Sequence, residues 1–339
     1  MTRDDPSSKS SRRATLSVDQ YFRGVRAGEI AVVARALTLV ESINPQHQLL
    51  AEQLLTRLMP FTGGSIRVGI TGAPGAGKST FIEALGLQLT GAGHRVAVLA
   101  IDPSSDITGG SILGDKTQMP RLAAEPNAYI RPSPASGTLG GAARRTRENM
   151  LICEAAGYDV VLIETVGVGQ SESFVVHMTD CFLALMLPFA GDELQGIKRG
   201  LLEVVDLIVV NKADGDLRTA CEVTARQYRS ALESLTGRAS GAASKVLTCS
   251  ALHHEGVDAV WQEVAGRHSK MTADGTLATR REQQNLHWLW AIVDGRAKQL
   301  IHTHPKIEAI RADLEQKVLA GTISAESAAR RILETCGLL

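Results

Sequence analysis

Gly72-Ala73-Pro74-Gly75-Ala76-Gly77-Lys78-Ser79, followed by Thr80, is the stretch on which the reading of this chain turns. Two glycines separated by four residues and followed by Lys-Ser form the phosphate-binding loop pattern. Ahead of it lies the apolar run Ile66-Arg67-Val68-Gly69-Ile70-Thr71; behind it, Phe81, Ile82, Leu85 and Leu89 recur at helical spacing between Lys78 and Thr90. Strand, glycine loop and helix therefore come in the order the motif requires, which a chance Gly-rich turn would lack. Backbone N–H groups and a helix N-terminus both carry partial positive charge, and such a loop gathers them around phosphates. In that geometry Gly72, Ala73, Pro74, Gly75, Ala76, Gly77 and Thr80 surround the phosphates. Lys78 reaches the β- and γ-phosphates, and the Ser79 hydroxyl binds Mg²⁺.

The bulk properties narrow the class. With 339 residues the chain holds one large domain or two modest ones, and can bury a core. Lys+Arg and Asp+Glu both number 36 and aromatics make up 4%, which argues against a general nucleic-acid binder. The five cysteines form no Cys-x-x-Cys pair; Cys153, Cys181 and Cys249 sit in apolar contexts and read as small core residues of a protein in a reducing compartment. No apolar run reaches membrane-spanning length, and Phe182–Phe189 reads as a buried strand. Residues 1–14 are polar, without the apolar centre of a signal peptide, and read as a disordered leader. A soluble, cytoplasmic protein with neither nucleic acid nor membrane as partner is expected.

Along the chain, residues 15–62 read as an N-terminal helical region, with Ser17 placed to cap its first helix. Residues 63–270 alternate short apolar runs with helical stretches. The runs are Ile66–Thr71, Arg95–Asp102, Ala128–Arg131, Asp159–Thr165, Cys181–Leu187, Leu207–Asn211 and Lys245–Cys249. Several are apolar almost throughout, as strands covered on both faces are. The fold class expected is α/β, a mainly parallel sheet flanked by helices. Residues 271–339 read as a C-terminal helical region: a long helix over 280–301 with Leu286, Trp288, Leu289, Ile292 and Val293, then two more after Pro305, the last capped by Ser324.

Ligands of such sheets lie beyond the carboxyl ends of the strands, so the motifs there carry the chemistry. Asn211-Lys212-Ala213-Asp214 follows a strongly apolar strand and matches the guanine-reading pattern. The Asp214 carboxylate accepts from guanine N1–H and its 2-amino group, donors that adenine lacks there. Ser250-Ala251-Leu252 follows the next strand, where a backbone N–H can meet guanine O6. Glu164-Thr165-Val166-Gly167 has the form of a second switch: Glu164 contacts the Mg²⁺ shell, the Gly167 N–H meets the γ-phosphate, and Gln170 is the candidate for positioning the attacking water. Asp102, in Asp102-Pro103-Ser104-Ser105-Asp106, and Asp115 are further acidic candidates for Mg²⁺. The ion needs only one or two carboxylates, so Asp102, Asp115 and Glu164 are not all direct ligands. Gly191-Asp192-Glu193 begins a polar loop that opens a helix. The nine histidines include none at metal-site spacing and read as solvated or locally bonded.

Taken together, Gly72–Thr80, Asp102–Ser105, Gly109–Lys116, Glu164–Gln170, Gly191–Lys198 and Asn211–Asp214 resemble the MeaB/ArgK family of P-loop GTPases, which includes the human methylmalonic aciduria type A protein. The resemblance runs from about residue 15 to the C-terminus. It implies a GTP- and GDP-binding, Mg²⁺-dependent homodimer that gates cofactor loading and protects an adenosylcobalamin-dependent acyl-CoA mutase, with an adenosyltransferase as a further partner. It also implies a third switch carrying Asp192, Glu193, Gln195 and Lys198, a C-terminal dimer arm, and slow intrinsic hydrolysis raised by the partner. Two positions depart from the family. Asp106-Ile107-Thr108 stands where Thr-Arg-Thr is usual, and Gln118 where an arginine follows Lys-Thr. Two other readings share the phosphate loop: a kinase of an amino-acid transport system, which leaves Asn211–Asp214 unexplained, and a nickel-insertion GTPase, which needs a His- or Cys-rich metal site.

Overall fold

A computed structural model describes residues 15–102, 118–134, 139–165, 172–188, 199–236 and 245–339. Seven parallel strands form one sheet in the order β3-β2-β4-β1-β5-β6-β7. They are β1 (Ile66–Gly72), β2 (Val96–Asp102), β3 (Ala128–Pro134), β4 (Val160–Thr165), β5 (Cys181–Met186), β6 (Leu207–Val210) and β7 (Lys245–Thr248). Each corresponds to one of the seven apolar runs. Strand β3 continues past its run because its pairing with β2 extends to Asp102↔Pro134.

The near-continuous apolarity has a simple cause: helices cover both faces. On β4, Val160 and Leu162 point to one face and Val161 and Ile163 to the other. The first face packs on α4 (Lys78–Gly91), the short α5 (Pro120–Ala123) and α10 (Val257–Ala273). The second packs on α6 (Leu139–Ala155) and α9 (Arg218–Thr236). Between β4 and β6 lie the short helices α7 (Glu172–Val176) and α8 (Arg199–Val204). Cys153, Cys181, Cys221 and Cys249 are buried within this core.

Helices α1 (Val18–Arg26), α2 (Ile30–Glu41) and α3 (Pro45–Leu58) join the second face chiefly through α6. Ser17 and Gln20 close a capping box on α1. Tyr21, Val25, Leu37, Leu54 and Leu58 are buried in the same cluster as Leu99 and Val161 of the sheet. Glu41 fixes the seat: it pairs with Arg131 of β3 and accepts from Asn149 Nδ2 at 2.8 Å.

Helix α11 (Thr276–His302) begins four residues before the expected stretch and is followed by α12 (Pro305–Leu319) and α13 (Ala325–Thr335). Arg281, Gln284 and Trp288 share one face of α11 and grip the turn that enters β5. Arg281 binds both carboxylate oxygens of Asp180, at 2.9 and 2.7 Å, and donates to the Ser65 carbonyl at 2.7 Å. Gln284 Nε2 donates to the Thr179 carbonyl at 2.8 Å, and Trp288 Nε1 to the His177 carbonyl at 2.8 Å. Beside them, Glu154 of α6 takes the Arg67 guanidinium at 2.7 and 2.9 Å. Of the apolar residues that mark this helix in the sequence, Trp288 is 2% exposed, but Leu286 and Leu289 are 59% and 53% exposed. They lie on a different face of the helix from the one that meets the sheet.

Replacing Arg281 by Ala leaves the Asp180 carboxylate, 2% exposed, without its charge partner. Breaking a buried pair from one side costs about 3–5 kcal/mol. Urea unfolding of Arg281→Ala should show a loss of that size; a loss below about 1 kcal/mol would contradict the clamp. His177 stacks on His287 of α11 with ring centroids 3.9 Å apart. Burial, then His287 and Arg280, lower its pKa from the ordinary 6.5. Unfolded His177 thus binds its proton more readily than folded, so its contribution is intact above pH 6.5 and is lost on acidification. The unfolding midpoint should fall more between pH 7.5 and pH 5.5 in the wild type than in His177→Asn.

Candidate nucleotide site

The phosphate loop leaves the carboxyl end of β1, the central strand, between β4 and β5. Two glycines there admit no substitute. A Cβ on Gly72, at φ +155°, would lie 2.3 Å from the Leu185 carbonyl oxygen; one on Gly77, at φ +86°, would lie 2.7 Å from Asn211 Nδ2. Lys78 opens α4, and its Nζ donates back to the Gly72 and Ala73 carbonyls at 2.8 and 3.3 Å. Burial lowers the Lys78 pKa, an effect that the Glu164 carboxylate opposes. The two carbonyls hold the Lys78 side chain at the loop.

Glu164 pairs in register with Ile70 of β1 and Ala100 of β2 and is 5% exposed. That register brings its carboxylate to the first turn of α4, where the Ser79 hydroxyl lies 3.3 Å from Glu164 Oε1 and donates to Gln118 Oε1 at 2.8 Å. Glu164 is thus placed beside Ser79. Asp102 closes β2 with its backbone; its side chain lies outside the described residues. Asp106, Ile107, Asp115, Gly167, Gln170, Asp192, Glu193, Gln195 and Lys198 also lie outside them.

At the end of β6, Asn211 is buried at 2% exposure. Its Nδ2 donates to the Ala76 carbonyl of the phosphate loop at 2.8 Å. Its Oδ1 accepts from the Ala251 N–H at 3.0 Å and from the Cys249 thiol at 3.4 Å. The Ala251 N–H, a candidate donor to a base, is thus used by Asn211. Lys212 sits at φ +65°. A non-glycine residue in that region carries about 1–3 kcal/mol of strain, which the bonds on either side hold in place. Beyond it the partly exposed Asp214 accepts from the buried Ser250 hydroxyl, which accepts in turn from the His253 N–H. Leu252 is exposed.

Sequence reading missed two contributions. The tie from Asn211 to the loop spans 135 residues, and Gln118 meets Ser79 from 39 residues away, so neither leaves a local signal. Among the described residues no three His, Cys, Asp or Glu side chains form a potential metal cluster, and no helix is long and apolar enough to cross a membrane.

A parallel sheet with a phosphate loop on its central strand, and an Asn-Lys-x-Asp turn two strands away, defines the class: a P-loop nucleoside triphosphatase. The family model described as methylmalonyl Co-A mutase-associated GTPase MeaB matches residues 33–306, and the chain belongs to this family of GTPases. The Escherichia coli protein named GTPase ArgK is 54% identical over 276 residues, which cover 81% of this chain and 83% of that protein. The Mus musculus methylmalonic aciduria type A homolog, mitochondrial, is 45% identical over 330 residues, covering 94% and 79%. A solved structure described as a LAO/AO transport system kinase superposes with a TM-score of 0.76 at 40% identity, covering 96% of this chain and all of its own.

Replacing Asn211 by Ala strands the Ala76 carbonyl and the Ala251 N–H together. We expect a stability loss of about 2 kcal/mol or more and a GDP affinity lowered at least tenfold, because unmade buried hydrogen bonds cost about 1–3 kcal/mol each. Denaturant titration and calorimetry check the two. Wild-type stability with lowered affinity would make Asn211 a ligand contact alone.

Proposed function

We propose that this GTPase times the loading and protection of an adenosylcobalamin-dependent acyl-CoA mutase. The observation that carries the reading is membership of a family described as associated with methylmalonyl-CoA mutase. The mouse relative, named for methylmalonic aciduria, supports the same client. In this reading GTP lies across the carboxyl edge of the sheet, its phosphates in the Gly72–Thr80 loop and its base against Asn211–Asp214. Asp214, which Ser250 orients, accepts the two guanine donors, and the Lys212 stem lies along the base face.

Lys78 neutralises phosphate charge that grows toward the transition state. The Ser79 hydroxyl and the Glu164 carboxylate are hard oxygen donors 3.3 Å apart, a pair that suits Mg²⁺ with waters and phosphate oxygens completing its shell. They would hold the ion, which when bound neutralises charge on the phosphoryl oxygens. We assign Gln170 to the attacking water and Asp192–Lys198 to a third switch facing the client. Exposed Leu286, Leu289, Trp290 and Val293 on α11 support a homodimer through the C-terminal helices.

The 40% identical solved relative, named as a transport system kinase, favours a second reading in which this chain is a kinase of that kind. Asn211–Asp214 weighs against it, since a kinase using ATP has no need of a guanine-reading carboxylate. Clear preference for ATP over GTP would overturn the GTP-timed chaperone reading.

Asp214→Asn exchanges two acceptor oxygens for one acceptor and one donor, and should shift preference from GTP toward xanthosine triphosphate; unchanged GTP affinity would refute the base-reading role. The isolated protein should hydrolyse GTP slowly and bind methylmalonyl-CoA mutase in pull-down, with turnover raised at least tenfold in the complex. Turnover of tens per second without a partner would overturn the timing role.

A further inference from the structure

Gln118 stands where the segment entering α5 crosses the first turn of α4, and its position is set by three anchors. Met119 and Leu122 are both fully buried, and Leu122 fills the space that a side chain on Gly86 of α4 would need, 2.5 Å from that Cβ. Glu83 of α4 accepts from the Arg121 N–H at 2.8 Å and from the Leu122 N–H at 3.4 Å. The segment is pinned to α4 by packing and by charge-assisted hydrogen bonds, and the pins deliver the Gln118 carboxamide to Ser79. Its oxygen takes the Ser79 hydroxyl hydrogen at 2.8 Å, against 3.3 Å for Glu164.

A serine hydroxyl has one hydrogen and two lone pairs. Two acceptors lie within reach of that hydrogen, and its destination decides what a cation meets. With the hydrogen on Gln118, the Ser79 lone pairs turn toward the opposite side, and Ser79 does not donate to the Glu164 carboxylate. With the hydrogen on Glu164, the carboxylate is partly screened and the hydroxyl oxygen is turned. We propose that Gln118 is a positioning residue for the cation site, holding the Ser79 hydrogen so that Ser79 and Glu164 present oxygen lone pairs together. The inference rests on the reading of Ser79 as a Mg²⁺ ligand. A leucine at 118 would remove the acceptor without adding charge, and leave Glu164 as the acceptor within reach of the Ser79 hydrogen.

The test is the release of N-methylanthraniloyl-GDP from the full-length protein as a function of free Mg²⁺, with a parallel measurement in EDTA. Gln118→Leu should raise the Mg²⁺ concentration that half-maximally retains the nucleotide by about tenfold, the size of effect that orienting groups have on metal sites. Gln118→Glu, which keeps the acceptor, should retain Mg²⁺ at least as well as the wild type. Ser79→Ala should remove most of the Mg²⁺ dependence. If Ser79→Ala removes it while Gln118→Leu leaves it at the wild-type value, Gln118 has no positioning role. If Gln118→Leu weakens nucleotide equally in Mg²⁺ and in EDTA, its effect is on the fold and the inference fails. If Ser79→Ala itself keeps wild-type Mg²⁺ dependence, the assignment of Ser79 falls and this inference falls with it.

Discussion

The Asn211 carboxamide joins three pieces of chain that have no other reason to keep a common geometry. Its nitrogen holds the phosphate loop through the Ala76 carbonyl, and its oxygen holds the segment after β7 through Ala251. The side chain is buried, so each of these bonds is made where water cannot substitute for it. The phosphate loop could wrap an anion without this tie, but its distance from Asp214 would be set only by the sheet. With the tie, the Asn211–Asp214 turn and the Gly72–Ser79 loop are bonded directly to one another. Gly77 is part of the same constraint, since any Cβ there would push the carboxamide away.

A second set of anchors works at the opposite edge of the sheet. Asp180 and Glu154 are buried carboxylates, each paired with an arginine and each accepting further hydrogen bonds from the backbone or a hydroxyl. That full complement lets the charges stay buried without a large penalty. Asp180 also ties α11 to the turn between α7 and β5, a turn that Gln284 and Trp288 grip through its carbonyls. The turn ends the stretch that begins at Glu164, so the C-terminal helix holds one end of the chain segment whose other end borders the phosphate loop.

The strands were legible because burial on both faces forbids the polar alternation that would otherwise disguise them: Val160–Ile163 and Leu207–Val210 announce themselves. Gly72–Ser79 and Asn211–Asp214 were legible because their chemistry demands fixed residue types at fixed spacing. Helix α11 was legible as a helix but not as a surface, since its apolar residues lie on more than one face and periodicity alone does not say which face meets the sheet. Asp180, Glu154 and Glu41 were invisible. Nothing local distinguishes a carboxylate that anchors a helix from one that is solvated, and only a distant arginine makes the difference.

The sequence by itself determined the class of protein, a parallel α/β sheet carrying a phosphate loop and a guanine-type turn, and those motifs pointed to the family. It left Asp102, Asp115 and Glu164 as acidic candidates for Mg²⁺. The tertiary structure placed Glu164 beside Ser79, because β4 pairs with β1 in a register that carries its carboxylate to the start of α4. It also made Gln118 a neighbour of Ser79, because Met119 and Leu122 must be buried against α4. Spacing along the chain encodes what must be adjacent in sequence; strand register and core packing decide what becomes adjacent in space.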